Sequence, residues 1–188
     1  MKQKIFVIVI VALAFSFTTP TIIAQETTDK KQQKAEKKKL REEQELADWN
    51  ESKQMATDRR FVFKANQLIT KDGTVSLDPK INFFYVIDDY SVIQFGFDGV
   101  FIGGNGVGGV TSDGTVESYK VIAENPKKPV QVELIVKPKA GQGFGIGTLV
   151  VKFYGDGYGE IQLNSNGYRL KGQIFKPEDA NIHMGNLR

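Results

Sequence analysis

Cysteine is absent from this 188-residue chain, and histidine occurs once, at His183. The first absence excludes disulfides and thiolate zinc sites, and it also excludes lipidation at a bacterial lipobox cysteine. With one histidine, near the end of the chain, and no G-x-S-x-G elbow, the usual serine triad is not visible. Charge of one sign is also in short supply. Taking Lys2 and Lys4 of the N-terminal segment from the 25 basic residues leaves 23 against 22 acidic ones. A near-neutral chain gives no electrostatic case for nucleic acid.

The N-terminus supplies a long apolar run. Lys2 and Lys4 precede an uninterrupted apolar stretch over residues 5–17, Pro20 breaks it, and Ile22-Ile-Ala24 leads to Gln25. This pattern predicts a cleavable secretory signal over residues 1–24, cut after Ala24. An uncleaved anchor is the competing reading, because residues 5–24 carry no charge and about 20 residues span a bilayer. Pro20 and the threonines around it favour the signal. So does the basic cluster that follows, which an anchor would leave on the outer side of the membrane. Cleavage without lipidation leaves no stable membrane span, so the expected location is periplasmic or extracellular.

Residues 25–57 read as a charged helical spacer. Glycine and proline are missing from residues 29–57, and Lys, Glu, Gln, Ala and Leu dominate, so a helix is predicted over residues 30–55. Basic residues fill its first half and acidic residues its second, against the helix dipole. Leu46, Trp49 and Met55 give only the second half an apolar stripe. The lysine run suits either a solvated spacer or a contact with anionic lipid or polysaccharide.

From Phe61 the period changes to two, with Phe61, Phe63 and Ala65 on one face and Val62, Lys64 and Asn66 on the other. Val130, Val132, Leu134 and Val136 alternate in the same way. Residues 159–163 and 168–175 follow, with Glu160, Gln162, Arg169, Lys171 and Gln173 expected to face water. Asp72-Gly73, Asp98-Gly99, Asn105-Gly106, Asp113-Gly114, Asp156-Gly157 and Asn166-Gly167 read as hairpin turns. Residues 58–176 are therefore expected to form an all-β antiparallel domain of about eight strands, a small lipocalin-like barrel or a sandwich, with residues 177–188 as a C-terminal tail. Residues 81–87 are apolar on both faces and need a cover, for which the second half of the helix is the expected partner.

Gly104-Asn-Gly106-Val-Gly-Gly109 satisfies the G-x-G-x-x-G spacing, but dinucleotide binding needs a helix after the third glycine, and strand follows here. Calcium is not expected there or at residues 155–160, because the carboxylate count is too low. Asp88 and Asp89 are adjacent, so on a strand they point apart and cannot serve one substrate as acid and base. No catalytic residue, metal or cofactor is assigned. The ligand or partner surface is placed on two glycine-rich loops, at Phe101, Gly104, Asn105, Gly106, Val107, Phe144 and Ile146. Glycine loops with apolar tips suit a ligand lip or a partner contact.

Several of these features occur together in one family. Phe83-Phe-Tyr-Val86 before a turn, the glycine loop from Gly104 to Thr111, Asp113-Gly, Tyr119-Lys-Val121 and Asn164-Ser-Asn-Gly-Tyr-Arg-Leu-Lys-Gly172 resemble the exported bacterial domain of unknown function family 4251 over most of residues 45–175. The resemblance implies an envelope protein of Gram-negative bacteria and carries no enzymatic role and no functional residues. Three functions are in view: a non-enzymatic binding module for an apolar or glycan ligand at the barrel mouth, an interaction component that contacts an envelope protein and has no pocket, and, least favoured, an enzyme whose acid–base or metal chemistry is built from Asp, Glu, Tyr and Lys alone. An internal cavity of several hundred Å³ would favour the first, and a core filled by side chains would count strongly against it.

Overall fold

The computed structural model describes residues 21–96, 108–139, 147–163 and 167–185, with side chains from residue 30 onward. A single helix, α1 (Thr21–Thr57), is followed by β1 (Arg60–Thr70), β2 (Gly73–Ser76), β3 (Phe83–Ile87), β4 (Tyr90–Gly96) and β5 (Gly109–Ile122). After these come β6 (Val130–Pro138), β7 (Thr148–Phe153), β8 (Tyr158–Leu163) and β9 (Tyr168–Phe175). All neighbouring pairs are antiparallel, and β9 returns to pair with β1, so eight strands close into a barrel. The remaining strand, β2, folds back on residues 67–70 of β1. The fold is therefore the barrel and not the sandwich, because pairing of β1 with β9 leaves no open sheet edge between them.

The alternation read from the sequence is obeyed where it decides burial. Phe61, Phe63 and Ala65 of β1 point inward with Val130, Val132, Leu134 and Val136 of β6, Val151 and Phe153 of β7, and Ile161 of β8. Phe61 makes edge-on contacts with Phe153 at 5.0 Å and with Phe84 at 6.1 Å between ring centroids. A barrel of eight strands is just wide enough for such side chains to fill it.

Several expectations need correction. Asp113-Gly114 is no turn. Both residues lie inside β5, where Gly114 faces Lys137 and Val136 so closely that a Cβ would collide with the neighbouring backbone. The helix starts nine residues before Lys30 and ends two after Met55. It also does not cover the outer face of β3. Its residues Trp49 and Ala56 join the barrel core, Trp49 donates its indole N–H to the Lys128 carbonyl at 3.0 Å, and the Tyr119 hydroxyl donates to the Ala56 carbonyl at 2.6 Å. The second half of α1 thus plugs one end of the barrel. Arg59, in the left-handed region at φ 54°, ends the helix, and its guanidinium binds Asp89 at 2.5 Å and lies 4.7 Å over the Tyr119 ring.

What covers the outer face is the C-terminal segment. Val62, Phe83 and Val92 form a second small cluster with Ala180 and Ile182. Gln94, fully buried, donates to the carbonyls of Ile81 and His183 at 3.0 and 2.8 Å, and accepts from the Gly185 amide at 2.7 Å and the Thr111 hydroxyl at 2.9 Å. The His183 amide donates to the Lys80 carbonyl, and Lys64 donates to the Asn181 carbonyl. The tail is thus an ordered strap. Among the described residues no buried side-chain polar atom lacks a partner.

Candidate functional site

The strand ends define two unlike mouths. At one lie the start of β1, the 88–89 turn, the 123–129 connection, the 154–157 hairpin and the exit of β9, all gathered around the second half of α1. At the other lie the register pairs Gly96 with Gly109, Ile135 with Thr148, Leu163 with Tyr168, and Thr70 with Gly73. This second mouth is lined by half-buried apolar side chains, Leu68, Leu77, Phe95 and Leu163, packed on top of the core. Below them the barrel is filled by Phe63, Phe84, Leu149 and Leu170.

Phe101, Gly104, Asn105, Gly106, Val107, Phe144 and Ile146 lie outside the described residues. The strand ends that flank their segments, Gly96 and Gly109 on one side and Pro138 and Thr148 on the other, belong to the same mouth. Among the neighbouring aromatics, Phe95 lies at this mouth, whereas Phe83 faces outward beneath the strap. Sequence reasoning missed Leu68. A bulge between Ala65 and Gln67 shifts the parity of β1, so Leu68 turns inward although the phase set by Phe61 and Phe63 would turn it out. Gly109, the third glycine of the G-x-G-x-x-G spacing, opens a strand, and no helix follows it. The local requirement for a dinucleotide site is therefore unmet.

The plugged end carries the titratable features. Burial pushes the Tyr119 hydroxyl well above the usual tyrosine range, against the lowering effect of Arg59. Asp88 and Asp89 form the β3–β4 turn there. A cleft of about 330 Å³ runs between the foot of α1 and the 155–157 hairpin, lined by Asp48, Glu51, Ser52, Gly155, Lys176 and Asp179. Lys176 binds Glu51 across it at 2.6 Å, and this pair raises the lysine's proton affinity. On the outer wall, Glu160 does not face water as expected. It is largely covered, near Lys152 and the Tyr154 and Tyr158 rings, and burial together with the Glu160 charge raises both tyrosines. Among the described residues no group of three or more His, Cys, Asp or Glu could hold a metal ion, and no helix is long and apolar enough to cross a membrane.

A small antiparallel barrel, plugged at one end by a helix and rimmed at the other by half-buried apolar side chains, is the class of domain these features define. The chain belongs to the family described as domain of unknown function (DUF4251), whose model matches residues 41–173. It is similar to the crystal structure of a DUF4251 family protein from Bacteroides eggerthii, with 26% identity, a TM-score of 0.53, and coverage of 72% of this chain and 91% of that one. A comparison with curated proteins finds no match.

Proposed function

We propose that this is an exported, non-enzymatic binding domain of the bacterial cell envelope that engages its target shallowly, at the apolar rim of the barrel opposite the helix. The observation that carries the reading is the asymmetry of the two ends. One is sealed by Trp49 and Ala56, and the other presents Leu68, Leu77, Phe95 and Leu163 half-buried, with both glycine-rich segments leaving from its strands. Concave apolar rims with few polar groups are the usual setting of small-ligand contact, and loops at a barrel mouth tolerate the variation that binding requires. An apolar or glycan ligand fits this rim. Export is supported by the charge and apolar pattern of residues 1–24. Release after Ala24 puts the domain in the periplasm or outside the cell.

A second reading, an interaction component of the envelope with no ligand pocket, is favoured by the filled interior beneath the rim. Native mass spectrometry of the protein purified from its host's envelope separates the two. A mass beginning at Gln25 with a retained ligand of a few hundred daltons is the expected result. The same mass without a ligand, together with one dominant crosslinked envelope protein, would move the function to the second reading. An intact Met1 would overturn release by cleavage.

A further inference from the structure

Five of the six lysines between residues 30 and 39 share one side of α1. At 100° per residue, Lys30, Lys31, Lys34, Lys37 and Lys38 fall within about 120° of one another, while Glu36 falls on the opposite side. All five are exposed. Their spacing, i, i+1, i+4, i+7 and i+8, is that of a helix face, and Arg41 continues it at i+11. We infer that this lysine face is a docking surface for an anionic lipid bilayer.

Three observations favour a bilayer. The cations form a row roughly 12 Å long on one face of the helix, and a row of that kind meets a flat charged surface along its whole length. No apolar side chain lies on the face between residues 30 and 38, so the contact is electrostatic and peripheral, without insertion. The row also begins only 13 residues after the apolar run of residues 5–17 ends, which places it near the membrane as the chain is exported. The inference rests on the export reading only for which membrane the face meets, not for whether it binds one.

The test compares the full chain with two triple variants that carry the same change in net charge. In one, Lys30→Gln, Lys34→Gln and Lys37→Gln neutralise the face. In the other, Lys71→Gln, Lys80→Gln and Lys127→Gln neutralise exposed lysines elsewhere. Glutamine keeps the helix, which circular dichroism verifies. Co-sedimentation is measured with vesicles of phosphatidylglycerol and phosphatidylcholine, with neutral phosphatidylcholine vesicles, and with soluble heparin as competitor. A lysine near an anionic surface changes partitioning about fivefold. The face variant should therefore lose roughly a hundredfold on anionic vesicles, the control variant should stay close to wild type, and binding should collapse as salt rises from low to physiological. Equal loss in both variants would overturn the inference, as would a face variant that binds like wild type, or heparin binding without vesicle binding. The neutral vesicles separate this contact from insertion of residues 5–17: equal binding of wild type to neutral and anionic vesicles would also overturn the inference, and the mass measurement decides separately where the N-terminus is cut.

Discussion

At the residue scale, the most informative side chains are polar groups and glycines at close approaches. Tyr119 is sealed against α1, with its hydroxyl donating to Ala56. The unfolded chain releases a tyrosine proton near pH 10, whereas the folded chain holds it to higher pH because burial disfavours the phenolate. The folded state therefore binds more protons above that point. Stability should be flat with respect to this group below about pH 10 and should fall above it, by at most about 1.4 kcal/mol per pH unit. Tyr119→Phe should cost about 1 kcal/mol at neutral pH and make the alkaline slope shallower, the remainder coming from Tyr154 and Tyr158, which urea titrations at pH 7, 10 and 11 would reveal. Gly172 is a second case. It lies beside the bulge in β1, and a Cβ there would run into the Lys64 carbonyl and the Ala65 backbone. Gly172→Ala should destabilise by about 2 kcal/mol, and a midpoint within error of wild type would contradict this packing.

At the element scale, the helix and the strap do different work. The second half of α1 completes the core, and its chief anchor is Trp49, 8% exposed. Trp49→Ala should cost about 3 kcal/mol or more, since it empties a large volume and leaves the Lys128 carbonyl without its donor. The strap covers Val62, Phe83 and Val92 and completes the hydrogen bonds of Gln94. Ending the chain at Pro177 should uncover that cluster and leave a fully buried amide short of partners. The shortened protein should bind a hydrophobic dye and aggregate at concentrations where the full chain is monodisperse. Dye binding equal to that of the full chain would show that the cluster is protected without the strap. Residues 81–87 were legible in the sequence as apolar on both faces, and their need for a cover was sound. The identity of the cover was not legible, because Ala180 and Ile182 sit in a short, mostly polar segment with no periodicity.

At the scale of the whole molecule, closure of the barrel couples distant parts of the chain. The first strand pairs with the last, and the core draws on the helix and on all eight barrel strands. Such a core should melt as one unit. Trp49, the one tryptophan, reports undocking of the helix, and far-ultraviolet circular dichroism reports loss of secondary structure as a whole, so the two denaturation curves should coincide. A tryptophan transition at clearly lower denaturant would show that the plug detaches from a barrel that stays folded.

The sequence by itself determined the class. Alternation over residues 61–65, 130–136, 159–163 and 168–175 is a local property of each strand, because side chains point to opposite faces every second residue, and a core forms wherever the apolar ones line up. The helical segment was equally legible, since it lacks glycine and proline and is rich in helix formers. Other features belonged to the tertiary structure. Pairing of β1 with β9 made a barrel of what could have been a sandwich. The bulge after Ala65 reversed the facing of Leu68, the β5 register turned Asp113-Gly114 from an expected hairpin into mid-strand, and the strap took the face expected for the helix. Each of these depends on which segments meet across long stretches of chain. A local pattern shows that an apolar face must be buried, and only the closed barrel decides what buries it.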